Sequence, residues 1–432
     1  MQVLVFEDDA VERLGVLVAA RPACDLTIGA TTLHDALAGM GSVRRLPRPH
    51  LARYLAALGR SRVPLWGGTV DPVAPAAASR HGAVALVVNA RTVPSRDNLV
   101  ALRELVEAGR RVVVRDGATI TAAVLHLAAD GTGPDDALGE RLRADGPVVF
   151  HDAAAHGLAT ADARLELIGD ARDIIAAHER SLEGMLAVAL DGSGYREVRP
   201  GLFVGHGAEV ADQVVVRRGP VVVAAGSQIG PFVCLDGPVF VGPRARVHPH
   251  AWLRAGAVLG TECRAGGEIE ATVMEAFSNK PHDGFLGHSH LGSWVNLAAG
   301  TITSNLKATY GTVRLHERHA DGGRSSVDTG RQFFGALIGD LVRTAINTSI
   351  PCGARIGVGA TVQGSVADAV GAFTNDLLGG RSSADQTATV LGRMMARRGL
   401  DMLAADRELL ACLADANGVP PRPDPKLQSD ER

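Results

Sequence analysis

A period of six residues runs through the second half of this chain and limits what it can fold into. Val223, Ile229, Leu235, Val241, Val247, Leu253 and Leu259 fall on one six-residue register without a miss. An earlier set, Val204, Val210, Val216 and Val222, is offset from it by one residue. The period returns at Leu291 and Leu297, and again at Ile338, Ile350, Ile356 and Val362. Neither a helix, with about 3.6 residues per turn, nor a strand, with a period of about two, generates this spacing. A prism whose flat faces each consume six residues does, with one apolar anchor pointing inward from each face. Small residues two before the anchor (Ala208, Ser227, Ala245, Ala251, Ala257) fit beside it at a crowded corner. Glycine follows several anchors, at Gly205, Gly230, Gly242 and Gly260, and Gly, Asn or Asp at the turns tolerates the positive φ such corners can require. Short units that bury their apolar side only by stacking form a solenoid. A run of valines in a β-sandwich is the competing reading, and seven consecutive hits on one register argue against it. The expectation is a left-handed parallel β-helix over 201–365.

The first part is unlike the second. Short β-branched runs at 2–6, 85–88 and 111–115 alternate with helical patterns such as 98–108, where Leu99, Leu102, Leu105 and Val106 share a face. That alternation predicts an α/β domain over 1–165, with a loop at 129–146. A helical connector is expected over 166–200. Beyond 365 the repeat fails; Leu391, Met394, Met395, Leu403, Leu410 and Leu413 predict one or two helices that would cap the solenoid's open edge. A Pro-rich charged tail occupies 420–432.

Composition excludes several classes. The net charge is −3 and no basic block occurs, so no nucleic-acid partner is expected. No apolar stretch approaches the roughly 20 residues that span a bilayer, so no membrane partner is expected either. MQVLVFEDD has no basic segment before an apolar run, which argues against a secretory signal. Five scattered cysteines without a CxxC pair read as reduced thiols, and a cytoplasmic location follows.

The segment 279–306, NKPHDGFLGHSHLGSWVNLAAGTITSNL, carries the chemistry. His282 precedes Leu286-Gly287, and 298–305 reads AAGTITSN. This resembles the acetyltransferase half of the bifunctional N-acetylglucosamine-1-phosphate uridylyltransferase/glucosamine-1-phosphate acetyltransferase family, and more closely a branch of sugar nucleotidyltransferase-like proteins with the same domain order. Arg21-Pro22 with Leu26 and Gly29, 282–289, 296–307 and 328–333 carry the second likeness. The resemblance implies a Rossmann-like nucleotidyltransferase-like domain followed by the hexapeptide-repeat solenoid. It implies acyl transfer from acetyl-CoA or another acyl-CoA to a small-molecule amine or hydroxyl, in a homotrimer whose sites lie between subunits. His282 would be the general base, since an imidazole can take the nucleophile's proton near neutral pH. Asn305 and Asn296 would orient the acceptor or the imidazole, and the N–H of Ala299 or Gly300 would hold the oxyanion. Coils around Ala345 and Gly357 would wall the coenzyme A groove. Phe285, where the family has Tyr, and Lys307, Tyr310 and Arg314 would face the acceptor.

The departures are informative. Trp252, Glu270 and Gly311 stand where the family grips phosphate with Arg or Lys, so glucosamine 1-phosphate is not the expected acceptor. The N-terminal half lacks a Gly-rich phosphate loop. It offers Arg21 in the corresponding stretch and Asn89 where the family's Mg²⁺-binding Asp would stand, a poorer ligand for a hard dication. Asp8 and Asp9, after the first strand, are the carboxylates that would compensate for that loss. Nucleotidyl transfer with Mg²⁺ is therefore the alternative activity. Two further readings are a γ-carbonic-anhydrase-like zinc enzyme, from His248, His250, His282, His288 and His290, and a noncatalytic nucleotide-sugar-binding scaffold.

Overall fold

A computed structural model describes residues 1–58, 64–67, 83–127, 158–192, 194–318 and 323–418. The loop expected at 129–146 and the tail at 420–432 lie outside these.

The N-terminal half is built on a six-stranded sheet. Gln2–Phe6, second from one edge, lies between Ser42–Leu46 and Ala83–Asn89 and parallel to both. Thr119–Leu127 pairs antiparallel with Ala83–Asn89 and with Val112–Asp116. The strand expected at 111–115 begins one residue later, and the one at 85–88 is longer. Three strands escape the periodicity argument, the two-residue Ala159–Thr160 by its shortness. Ser42–Leu46 carries Arg44 and Arg45, and Thr119–Leu127 is apolar on both faces, which period two does not describe. Val3, Val5, Leu86 and Val88 pack with Leu99, Leu102, Ile174 and Ile175 of the helices Arg96–Glu107 and Asp173–Leu190.

From Leu202 onward the chain winds as a three-faced parallel β-helix. Successive coils pair at an 18-residue spacing, as in Val221↔Val239 and Val239↔Ala257. The first face runs through Leu202–Gly205, Val221–Val223, Val239–Val241, Ala257–Leu259, Thr272–Met274, His290–Leu291, Leu337–Ile338, Arg355–Ile356 and Ala369–Val370. The second contains Gln228–Ile229, Arg246–Val247, Arg264–Ala265 and Asn279–Lys280; the third contains Cys234–Asp236, Trp252–Leu253, Glu268–Glu270 and Phe285–Gly287. All seven anchors of the main register are buried within one continuous core. The one-residue offset of the earlier set has a cause: Val216 pairs with Leu235 but Arg218 pairs with Asp236, so a bulge at 217 inserts one residue. Val204, Val210 and Val216 therefore stand level with Val223, Ile229 and Leu235. Val222 does not share their role. It faces outward onto Leu182 and Leu186 of the connector helix.

The corners correct a second expectation. Many positive-φ positions are not Gly, Asn or Asp but Phe232, Arg244, His250, Glu262, Phe277 and Trp294. Such a conformation costs a non-glycine residue about 1–3 kcal/mol, and contacts between coils offset it. Phe232 stacks on His250 with centroids 5.1 Å apart, Phe277 on Trp294 at 4.4 Å, and Arg244 Nε donates to Glu262 Oε1 at 2.8 Å. The glycines after the anchors serve close approach instead. A Cβ on Gly242 would lie 2.5 Å from the carbonyl oxygen of Leu259, and one on Gly260 2.7 Å from the Ala276 nitrogen.

The charged stretch after 313 forms an antiparallel hairpin, Arg314–Arg318 with Arg324–Asp328. The terminal helices, Ala384–Ala396 and Ala404–Ala416, do not lid the solenoid end. Leu391, Met395, Leu409 and Leu413 share a core with Phe277, Trp294, Leu341 and Phe373 along the edge between the first and second faces, and with Leu51 and Leu58 of the helix Pro49–Leu58. Tyr54 of that helix donates to Asp406 Oδ1 at 2.7 Å.

The two halves are docked through buried polar groups. Arg21 is fully buried; its guanidinium contacts Asp340, lies 3.2 Å from Glu275 Oε2 and donates to Ser293 Oγ at 2.9 Å. Glu275 also accepts from the Thr27 backbone and hydroxyl, both at 2.8 Å. His178 accepts from Gly29 N–H at Nδ1 (3.1 Å) and meets the Gly256 carbonyl at Nε2 (2.8 Å).

The Gly242→Ala and Gly260→Ala substitutions should each destabilise the protein by about 1–3 kcal/mol. Gly371→Ala, whose nearest neighbour would lie 3.6 Å away, should be near neutral in the same thermal denaturation. Equal melting temperatures for all three would contradict the packing role.

Candidate active site on the solenoid

The edge between the second and third faces gathers several of the residues singled out by the motif. His282 is exposed on the turn that joins Asn279–Lys280 to Phe285–Gly287. Its backbone is pinned from inside the coil, because the buried Lys280 donates through Nζ to the His282 carbonyl at 2.7 Å and to that of Gly266 at 3.3 Å. Burial pushes the Lys280 ammonium down to about 8, with Asp283 opposing the shift. One coil back on the same edge lie Gly266 and Gly267, where a Cβ would meet Pro281 O at 2.2 Å and Gly284 O at 2.6 Å. Two coils back are His248 and His250. One coil forward is the turn of Ala298, Ala299 and Gly300. The Ala299 carbonyl accepts from Asn347 N–H at 2.9 Å, so Ala345 and Asn347 continue the edge on the next coil. In that turn the Ala298 N–H donates to Thr344 Oγ1 at 2.9 Å, whereas the N–H groups of Ala299 and Gly300 have no acceptor among the described residues.

The third face carries a second group. Thr303 Oγ1 accepts from Gly287 N–H at 3.2 Å and donates to the Phe285 carbonyl at 3.3 Å. A side chain on Gly287 would strike both the Phe285 ring and the Asn305 amide. Asn305 orients an imidazole, but that of His288: Nδ2 donates to His288 Nδ1 at 2.9 Å. His288 Nε2 faces Glu179 at 3.6 Å, and its ring stacks on Phe333 at 5.5 Å. Burial, then Arg331 and Arg254, push the His288 imidazole down to about 4, so it is neutral at pH 7. On the same face Arg254 lies over the Trp252 ring at 4.9 Å and pairs with Glu268 at 2.8 Å and Glu270 at 3.0 Å. Sequence reasoning missed Arg254 and named His288 only as a candidate zinc ligand, because their partners are set by coil stacking and not by local spacing.

Other expected residues stand apart. Asn296 lies on the second face and accepts from Asn279 Nδ2 at 2.7 Å. Gly357 is enclosed, with a Cβ position 2.4 Å from Ala372 N, and does not line a groove with Ala345. Lys307 donates to the Thr312 carbonyl at 3.2 Å and Tyr310 is exposed, both on the turn leading to the hairpin. Arg314 bonds Ser326 within that hairpin. Asn89 is buried, donating to Asp8 Oδ2 at 2.9 Å and to the Ile120 carbonyl at 3.1 Å. Arg91 holds Asp8 bidentately at 2.8 and 2.6 Å.

A family model described as sugar nucleotidyl transferase matches residues 3–186. Bifunctional protein GlmU of Acinetobacter baumannii (strain AYE) is 28% identical over 273 residues, covering 56% of this chain and 54% of that protein. GlmU of Jannaschia sp. (strain CCS1) is 26% identical over 288 residues, covering 64% and 58%. The chain is thus similar to sugar nucleotidyl transferases over residues 3–186 and to bifunctional GlmU proteins. It spans about half the length of the curated relatives it matches. A bifunctional sugar-1-phosphate nucleotidylyltransferase/acetyltransferase of Sulfurisphaera tokodaii is 31% identical over 164 residues, covering 37% of this chain and 39% of that one. Among solved structures, AntD, an N-acyltransferase from Bacillus cereus in complex with dTDP and coenzyme A, aligns at 13% identity over 40% of this chain and 79% of its own, with a TM-score of 0.19.

Against that family background the N-terminal half departs from what Mg²⁺ needs. Asp8 is neutralised by Arg91, and Asn89 presents its amide nitrogen, a donor, to the same carboxylate. This set does not fit a hard dication. Arg21, expected to face substrate, is instead committed to Asp340 and Glu275. Three of the five histidines of the zinc reading are engaged elsewhere: His290 pairs with Glu275 at 3.1 Å, His288 with Asn305, and His250 stacks on Phe232. Among the described residues no three His, Cys, Asp or Glu side chains converge on one point.

Burial also drives His178 down to about 4. For both His178 and His288 the unfolded chain binds a proton below about 6.5 while the folded chain refuses it. Their contribution to stability is therefore complete above about pH 6.5 and declines until about pH 4. The urea midpoint should fall across that window, and His178→Gln should flatten the fall; an identical slope in the variant would remove His178 from the account.

Proposed function

We propose that this chain is an acyl-CoA-dependent N- or O-acyltransferase acting on an amino sugar, a nucleotide sugar or a related amine, with His282 as general base. The observation that carries the reading is the pair of unengaged N–H groups at Ala299 and Gly300, one coil beyond an exposed imidazole on a rigid edge. The amine nitrogen attacks the thioester carbonyl carbon, and His282 accepts the proton that the nitrogen loses. The carbonyl oxygen becomes an oxyanion, for which two fixed N–H dipoles are suited. Collapse breaks the C–S bond, and the thiolate leaves with the proton from His282. Coenzyme A would pass along Ala345, and Phe285 would flank the acceptor. Glu268 and Glu270 share the single cation of Arg254, and the surplus negative charge favours an ammonium-bearing acceptor over a phosphorylated one. Exposed Phe232, Ile302 and Ile346 on this edge and face favour coverage by a neighbouring copy, consistent with a homotrimer. A cytoplasmic location is part of the same reading.

Nucleotidyl transfer by the N-terminal half is the second reading, favoured by the family match and disfavoured by the Asp8–Arg91 pair. A screen for pyrophosphate release over nucleoside triphosphates and sugar 1-phosphates tests it.

Turnover of acyl-CoA over an amine panel, followed by release of free thiol, tests the first. His282→Ala should lower it about 10²-fold or more, the usual share of a general base, with coenzyme A binding retained. Unchanged turnover would remove His282 from the mechanism, and wild-type protein that neither binds nor consumes acyl-CoA would leave the scaffold reading standing.

A further inference from the structure

The outward column of the second face carries arginines that lack carboxylate partners. Arg246 and Arg264 are direct cross-strand neighbours, so their backbones lie one inter-strand spacing, about 4.8 Å, apart. Like charges placed directly opposite each other destabilise a sheet. Here no acid intervenes: Glu262, the nearby carboxylate, is shared by Arg244 at 2.8 Å and Arg398 at 3.5 Å. Neither Arg246 nor Arg264 has an ion-pair partner among the described residues, and Arg264 Nε is shielded from solvent without an acceptor. The column continues through Asn279 and Asn296 to Arg343. Asn279 Oδ1 is likewise buried and unpartnered, and among the described residues the Arg343 guanidinium donates only to the Thr361 hydroxyl, at 2.7 Å. His248, at the corner two residues beyond Arg246, is crowded by Arg264, His282 and Arg246, and its Nε2 is also shielded and unpartnered. The cationic column therefore reaches the edge that bears His282.

We infer that Arg246 and Arg264 form a phosphate-binding site on the second face, bridged by one phosphate of a nucleotide-type ligand. A phosphate with several acceptor oxygens satisfies two guanidinium forks at once and removes their repulsion. The third face across the His282 edge carries the opposite sign, with Glu268 and Glu270 against one Arg254. The two faces thus sort the reactants by charge. Phosphates enter over the second face, and the ammonium acceptor approaches over the third. That the phosphate belongs to coenzyme A rests on the acyl-transfer reading; the site itself does not.

Isothermal titration of the full chain with coenzyme A, UDP and inorganic pyrophosphate tests it, using Arg246→Gln, Arg264→Gln and, as a control outside the face, Arg217→Gln. Coenzyme A binding should weaken about tenfold in each of the first two variants, the usual scale for a lost charge-assisted contact, and stay unchanged in the control. If only UDP or pyrophosphate weakens, the site stands and its phosphate comes from the acceptor. If wild-type protein ignores coenzyme A yet binds pyrophosphate through these arginines, the site stands and the acyl-transfer reading fails. Coenzyme A, UDP and pyrophosphate affinities unchanged in both variants would overturn the site, as would a change confined to oligomeric state by size-exclusion chromatography.

Discussion

Successive coils of the solenoid touch through backbone as well as through side chains, and this close approach governs much of the rest. Where Gly242 meets Leu259 and Gly260 meets Ala276 there is no room for a methyl group. Stacking at that distance puts the inward valines and leucines in one unbroken column, excludes water from it and leaves the outward residues in fixed vertical files. The proposed chemistry of this chain lies in those files. His282, the Ala299–Gly300 turn and Ala345 form one of them, and Arg246, Arg264 and Arg343 another. A site made this way needs no precision from any single loop, because each position is set by the coils above and below.

The N-terminal half is rich in buried ion pairs. Around the ends of its central strands, Arg91 holds Asp8, Arg48 holds Glu7 and Arg45 holds Asp25, and Arg21 reaches across to Asp340 and Glu275. Each of these buried carboxylates has a guanidinium as its partner. Buried pairs of this kind add little net stability, but breaking one strands a charge in the interior. They therefore lock the arrangement once it is formed.

Much of the solenoid was legible because its signal is repetitive: Val223 to Leu259 required only a register and inward anchors. The bulge at 217 was visible as an offset without a cause. What escaped were features that depend on neighbours 15 to 18 residues away. The αL conformation of Phe232 and His250 makes sense only once their rings are seen to stack. Asn305 was expected beside an imidazole and is, yet the ring belongs to His288, since the coil brings residue 288 level with 305. Arg21 looked like a remnant of a phosphate grip because nothing local announces a partner more than 250 residues on. The strands Ser42–Leu46 and Thr119–Leu127 were hidden for a simpler reason, being either charged or apolar on both sides.

His178, Glu275 and Arg21 together leave no hinge between the halves. Each reaches from one half into the other through contacts sealed from water, so neither half can swing without exposing unpaired polar groups. A compound that visits both halves would therefore leave one and diffuse to the other, since the described residues offer no arm to carry it.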